Sequence, residues 1–422
     1  MSTNSFIPPK MNYPLLWLSE LTLNPLLKTV HNIDKIIVSD YDRAILKSLR
    51  NQRLIYIANH PSTQDPPIAF WVANQMSTRF NYMASREVFD WGSGMVGSII
   101  QSIGAYSVIA GTGDRESLKM TREILSKPGG KLALFPEGEP TSNLNDTLLP
   151  FQPGMIQLGF WGLEDALKID PDARIFILPV YSKYRLNQST NALRKELDKS
   201  LEKIEDKLGI NKIGKTIVQR FFSIGKRILE TSEKEFNVDV DYSKDYFYRL
   251  GRVRHEILNI IAEKTKIKKW NPDDHSIDKI RKILATLELV SIGSPDPKNE
   301  LPDKATAKWA RLAIQRCYDY IAFTPEYLIE HPSAERLFEY LWRFEQDVFG
   351  STKYRPHNVN LRVIEPLLLN DYYEDYKKDK KGEVDRLTKL LRDKMEKIMK
   401  EESDKTEVLF PPDFVFNANS IL

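Results

Sequence analysis

A chain of 422 residues is too long for one ordinary core, so two structural units are expected. With 41% hydrophobic and 28% charged residues it reads as a folded protein, and a net charge of only +3 excludes the basic excess of a general nucleic-acid binder. The single cysteine, Cys317, rules out an internal disulfide and a cysteine-rich zinc site, and it is compatible with a reducing compartment.

Met1 to Lys10 is polar and has no signal-peptide pattern. No apolar run reaches the ~18 residues of a spanning helix, so a membrane would be met from its surface. Tyr13 to Val30 is leucine-rich and predicts an amphipathic helix, broken or restarted near Asn24-Pro25. Its aromatic-leucine face suits either a core cap or a lipid interface, and the core cap is the plainer reading. Arg53 to Ala58 predicts a strand, followed by a turn from His60 to Asp65. Asp65-Pro66-Pro67 then predicts a helix start with Asp65 as side-chain cap. Short strands are expected over Phe80 to Ala84, Tyr106 to Ile109 and Lys131 to Phe135. A glycine-punctuated apolar helix falls around Gly92 to Gly104 and a further helix over Ser117 to Leu125, and a buried strand over Arg174 to Val180 closes at Pro179. This alternation predicts an α/β fold with a mostly parallel central sheet flanked by helices.

From about residue 190 to 355 the pattern becomes helical, divided by breakers such as Gly293 to Pro297 and Thr324-Pro325. Within it, Ile210 to Leu229 carries Lys212, Lys215, Arg220, Lys226 and Arg227 with no acidic residue. It predicts a basic amphipathic helix for anionic lipid, for an acidic partner such as acyl carrier protein, or for core packing. Asn358 to Pro366 returns to a strand pattern, and Asp371 to Lys400 to a polar loop and a long charged helix.

The chemistry lies in Asn59-His60-Pro61-Ser62-Thr63-Gln64-Asp65 and Phe135-Pro136-Glu137-Gly138. A histidine with a carboxylate partner at a strand's end is the minimal unit for removing an alcohol's proton. Taken alone, His60 would be a turn histidine and Asp65 a helix cap; the second segment changes the balance. Glu137-Gly138 is read as shaping an acceptor pocket, with glycine admitting close backbone approach and glutamate binding a hydroxyl or orienting a basic side chain. The scattered His31, His255, His275, His331 and His357 suggest no metal site, and there is no phosphate-loop or dinucleotide motif.

NHxxxxD followed by FPEG resembles the glycerolipid acyltransferase family. The likeness covers roughly residues 50 to 185 and resumes near 359 to 400. Further blocks are similar in Ser85-Arg86-Glu87 with Gly104 to Val108, in Phe151-Gln152-Pro153-Gly154, in Ile177-Leu178-Pro179-Val180, and in Val363 to Pro366 with Asp371-Tyr372-Tyr373. The family's arginine after the second block falls on Ala110, with Arg115 a nearby substitute, and Glu139 stands where a threonine is usual. Arg86 and Lys131 are weaker candidates for an anionic headgroup. The resemblance implies His60 as general base and Asp65 as its orienting partner. Asn59, Arg115, Glu137 and Gly138 would be substrate-binding.

The implied domains are an N-terminal helical or interfacial segment (1–50), an acyltransferase core (51–189) closed by a strand and long helix (356–405), a helical insertion (190–355) and a tail (406–422). The implied reaction moves a fatty acyl group from an acyl-thioester, acyl-CoA or acyl-acyl carrier protein, to a glycerolipid hydroxyl. The acceptor is a lysophospholipid, 1-acylglycerol 3-phosphate, and the product is phosphatidate. Neither a cofactor nor a metal is called for, and no nucleic acid partner. The implied location is the cytoplasmic face of a membrane, peripheral or monotopic. Two alternatives stay open: a different hydroxyl acceptor, and a non-catalytic lipid-binding or scaffold protein on the same fold.

Overall fold

The computed structural model describes residues 6–109, 114–141, 145–295, 300–322 and 325–410. The chain divides into two units, Met1–Arg185 with His357–Lys405, and Leu186–Pro356 with Thr406–Leu422. The first unit begins α1 (Tyr13–Thr29), β1 (Ile33–Val38), α2 (Asp40–Ser48), β2 (Arg53–Ala58), α3 (Asp65–Gln75) and β3 (Asn81–Ser85). A 3-10 stretch, Arg86–Gly94, leads to α4 (Met95–Ser102), β4 (Ala105–Val108), α5 (Arg115–Ser126), β5 (Lys131–Leu134), α6 (Gly154–Ile169) and β6 (Ile175–Leu186). The second unit holds α7 (Thr190–Leu208), α8 (Ile217–Glu235), α9 (Tyr246–Lys264), α10 (Ser276–Ile292), α11 (Lys304–Ala322), α12 (Pro325–Glu330) and α13 (Ala334–Phe349). The chain then returns to the first unit with β7 (His357–Val363), β8 (Leu367–Leu368), α14 (Tyr373–Lys378) and α15 (Lys380–Asp404).

The sheet runs β1-β7-β6-β2-β5-β3-β4, with β8 on β6. It is mixed and mostly parallel, as the alternating sequence pattern predicts. β2 lies between β5 and β6, parallel to both, with Ile57 in register with Leu134 on one side and Pro179 on the other. β6 and β7 are antiparallel: Ile364 N–H donates to the Pro179 carbonyl (2.9 Å), while further along β6 Tyr184 meets His357, earlier in the chain.

Every residue of β2 is buried. Alternation sends Leu54, Tyr56 and Ala58 into one core, with Ile68, Ala69, Val72 and Ala73 of α3 and Leu16, Leu23 and Leu27 of α1. Ile55 and Ile57 face the other core, with Ile156, Phe160 and Leu163 of α6 and Leu387 and Leu391 of α15. Burying each large aliphatic side chain contributes roughly 1.5–3 kcal/mol. The end of β2 is therefore held from both faces and both sides, a stiff mount for the turn beyond it.

Two expectations about proline are corrected. α1 runs unbroken through Pro25. The helical bond that Pro25 cannot make is the one to the Leu21 carbonyl, and Leu21 is 80% exposed, so water can take its place. β6 likewise continues past Pro179 to Leu186. Pro179 has no N–H to give, but its carbonyl still takes the bond from Ile364.

In the second unit the basic segment is not one helix. α8 starts at Ile217 behind a capping box of Thr216 and Gln219. Arg220 turns inward to Glu205 (2.7 Å) and Asp198 (2.5 Å), and Lys212 pairs with Glu202. These carboxylates come from α7 and neutralise charge that reads as unopposed within the segment itself. Similar buried pairs, Arg249 with Glu233 and Arg343 with Asp319, tie the helices together. The two ends of this unit adjoin, with Asn187 N–H donating to the Pro356 carbonyl (3.0 Å). Of the breakers, Asp296, Pro297 and Thr324 lie outside the described residues, as do 411–422 of the tail.

Candidate active site

β2 ends at Ala58, and the next two residues are fixed by different neighbours. Asn59 is 1% exposed. Its side-chain amide donates to the Ser182 carbonyl (3.0 Å) and its oxygen accepts from Ser182 N–H (2.7 Å), fastening the end of β2 to β6. His60 is clasped by its backbone. Its N–H donates to Glu137 Oε1 (2.7 Å), and its carbonyl accepts from Thr141 N–H (2.8 Å). The Phe135 ring stacks on the imidazole with centroids 4.2 Å apart at 19°. The two sequence segments thus form one structure, with the Phe135–Thr141 loop holding His60 by its N–H, its C=O and its ring.

Asp65 is the first residue of α3 but does not cap it, contrary to the sequence expectation. Of the two amides a cap at Asp65 would bind, Pro67 has no N–H and only that of Ile68 is left. The carboxylate turns back instead. Oδ2 accepts from His60 Nδ1 (2.8 Å) and from Ser62 N–H (2.8 Å), and Oδ1 accepts from the Tyr184 hydroxyl (2.5 Å). Asp65 is 2% exposed, whereas the His60 side chain keeps 13% of its surface. Burial, with the Asp65 carboxylate beside it, holds the Tyr184 hydroxyl well above its ordinary range, so it stays a donor. With Nδ1–H given to Asp65, the imidazole lone pair sits on Nε2, which has no hydrogen-bond partner among the described residues.

Glu137 is fully buried. Oε1 takes the His60 N–H and Oε2 the Leu149 N–H (2.7 Å), so the side chain bridges two loops. Burial raises its carboxyl to about 7, against the pull of those backbone donors. Asn59 and Glu137 thus both bond the protein's own backbone beside His60. Gly138 closes the turn, its N–H donating to the Phe135 carbonyl (3.0 Å). Its φ is +83°, the left-handed region that favours glycine, and a Cβ there would push the Gln152 amide aside.

The basic candidates are dispersed. Arg115 opens α5, exposed, behind the cap Asp114, whose Oδ1 accepts from Ser117 N–H (3.2 Å). α5 follows β4, and β4 lies three strand spacings from β2, roughly 14 Å along the same edge of the sheet. Arg86 at the end of β3 pairs with Asp90 (2.9 Å). Lys131 lies at the other end of β5 from the site, buried, its Nζ donating to the Gly129 carbonyl (2.9 Å), with burial lowering its pKa to about 8. Ala110 lies outside the described residues.

Sequence reasoning missed Tyr184 and His357. His357 Nε2 is 3.2 Å from Gln64 Oε1, and its ring lies 5.1 Å from that of Tyr184. No local motif marks either residue; only the continuation of β6 and the return of β7 bring them here.

Chemically, this is an imidazole with one nitrogen tied to a buried carboxylate and the other without a hydrogen-bond partner among the described residues. Residues 29–183 match the family model described as Acyltransferase. No curated protein matches the chain.

Proposed function

We propose that the acyltransferase-family domain of this chain moves a fatty acyl group from a thioester to a glycerolipid hydroxyl, with 1-acylglycerol 3-phosphate as acceptor and phosphatidate as product. The observation that carries this reading is the 2.8 Å contact between His60 Nδ1 and Asp65, held against the Phe135–Gly138 turn. His60 Nε2 takes the acceptor's hydroxyl proton as its oxygen attacks the thioester carbonyl. The tetrahedral intermediate collapses with cleavage of the C–S bond, and the departing thiolate receives the proton from His60. Asp65 stabilises the imidazolium between those two transfers. No acyl-enzyme forms. The donor is acyl-CoA or acyl-acyl carrier protein, and no cofactor or metal takes part. General-base assistance of this kind contributes roughly 10²- to 10⁴-fold.

The acceptor and product belong to a membrane, and no described helix is long and apolar enough to cross one. α1 exposes Trp17 (55%), Leu18 (54%) and Leu21 (80%), and α4 exposes Met95 (68%). The segment leading into α1 is bonded to the end of α4 through Lys10 N–H to the Gln101 carbonyl (3.1 Å) and Asn12 N–H to the Ser102 carbonyl (3.0 Å). An aromatic-aliphatic surface of this kind suits shallow insertion into a leaflet, giving a peripheral or monotopic enzyme on the cytoplasmic face. A second reading, transfer to a different hydroxyl acceptor, is favoured by Ala110, which stands where the family's arginine falls.

The deciding experiment gives wild type and His60→Ala a labelled acyl-thioester with a panel of acceptors. Transfer to lysophosphatidate that is lost in the variant supports the reading. Transfer only to other alcohols supports the second. Lipid binding without transfer by either protein indicates a scaffold and ends both.

A further inference from the structure

We propose that Tyr184 is a positioning residue for the His60–Asp65 pair, acting through Asp65 Oδ1; the inference rests on the acyl-transfer reading above. A carboxylate that meets its donors only at Oδ2, as Asp65 meets His60 and Ser62, can still swing about its Cβ–Cγ bond, a soft torsion. The Tyr184 hydroxyl, 2.5 Å from Oδ1, closes that freedom and fixes the carboxylate plane. His60 Nδ1–H then has one target, and Nε2 one direction.

Tyr184 is itself held firmly. Its N–H donates to Asn145 Oδ1 (3.0 Å), its ring rests against His357, and it is 8% exposed. It stands one residue beyond the stretch that matches the family model, which ends at residue 183. Nothing in the HxxxxD or FPEG segments points to it. Other titratable groups also bear on this pair. Glu137 approaches the His60 backbone from the turn after β5, the buried Tyr56 lies within the field of Asp65 from β2, and His357 stands on β7. Among the described residues, only Tyr184 and His60 hydrogen-bond the Asp65 carboxylate through their side chains.

The test compares wild type with Tyr184→Phe, which keeps the ring and removes the hydroxyl. Tyr320→Phe serves as control, since that buried hydroxyl donates to Ser232 Oγ (2.5 Å) in the second unit and touches neither the dyad nor Asn145. Two readouts are taken: acyl transfer, and the low-field His60 Nδ1–H resonance in ¹⁵N-histidine-labelled protein. Tyr184→Phe should lower kcat by about ten- to a hundredfold, leave both KM values within about twofold, and weaken or abolish the Nδ1–H resonance. Tyr320→Phe should change neither readout. An unchanged kcat and resonance in Tyr184→Phe, or equal losses in both variants, would overturn the proposal. If wild type transfers acyl groups to no acceptor, the reaction assignment fails, while the resonance still judges Tyr184. If Tyr184→Phe does not fold, the ¹³Cζ signal of Tyr184 is compared between wild type and Asp65→Asn. A shift supports the contact, and an unmoved signal overturns it.

Discussion

Replacing Asp65 by asparagine isolates its charge from its geometry. Ser62 N–H and His60 Nδ1–H both point at the Oδ2 position, so an amide nitrogen placed there would face two donors. The side chain therefore sets its oxygen at that position and its NH2 toward Tyr184, whose hydroxyl oxygen can accept. Every contact is kept, the one to Tyr184 with donor and acceptor exchanged, and so is the imidazole tautomer. What is lost is the negative charge beside the imidazolium that forms during transfer. For charges about 4 Å apart at an effective dielectric near 20, that attraction is about 4 kcal/mol. This corresponds to a loss in kcat of about 10³-fold, within the range of general-base assistance. The variant should melt close to wild type. Asp65→Ala leaves both Ser62 N–H and the Tyr184 hydroxyl unsatisfied, and should lose about 1–3 kcal/mol of stability for each. The assay is transfer of a labelled acyl chain from thioester to lysophosphatidate, with thermal melts in parallel. An Asp65→Asn enzyme within about tenfold of wild-type kcat would refute the charge argument.

Glu137 sets a pH dependence of stability. Its carboxyl is raised from 4.5 to about 7 in the folded protein. The stability it contributes is fully present below the unfolded value and declines as pH rises through the folded one, by about 3 kcal/mol in all. Urea denaturation at several pH values should show a steeper fall in wild type than in Glu137→Gln, which keeps the similarly raised Asp319 carboxyl; parallel curves would reject it. If Arg115 reads an acceptor phosphate, Arg115→Ala should raise the acceptor KM well above any change in the donor KM, whereas small, equal changes would remove that role. Trp17→Ser with Leu21→Ser should cut binding to lipid vesicles while sparing transfer to a water-soluble short-chain acceptor. Unchanged vesicle binding would show that α1 does not dock.

What the sequence reveals of the site depends on how local each contact is. His60 and Asp65 are five residues apart, and their pairing is legible because a short turn leaves them few other arrangements. The clasp by the Phe135–Thr141 loop is half legible. The FPEG segment announces itself, but nothing in it says that Glu137 will hold backbone amides and not a ligand. Tyr184 stands 119 residues from Asp65 in sequence. Its contribution depends on β6 continuing through a proline that reads as the strand's end. The capping expectation at Asp65 fails because the donors its carboxylate meets, the Tyr184 hydroxyl among them, come from outside the helix. The alternation of strands and helices gives the sheet, because each β2 side chain must find an apolar partner on one face or the other. The basic segment near Arg220 misleads because its neutralising carboxylates belong to another helix.

The bond between Asn187 and Pro356 has a consequence for how this architecture can vary. To the two antiparallel strands it joins, everything from α7 to α13 is a hairpin loop whose ends are already pinned together. The entropy of closing such a loop grows only logarithmically with its length. Even a flexible loop of that length would cost only about 4 kcal/mol more to close than a tight turn, and a folded body whose ends adjoin costs the sheet less. The sheet and the dyad mounted on it are thus insulated from gains and losses of material at that corner.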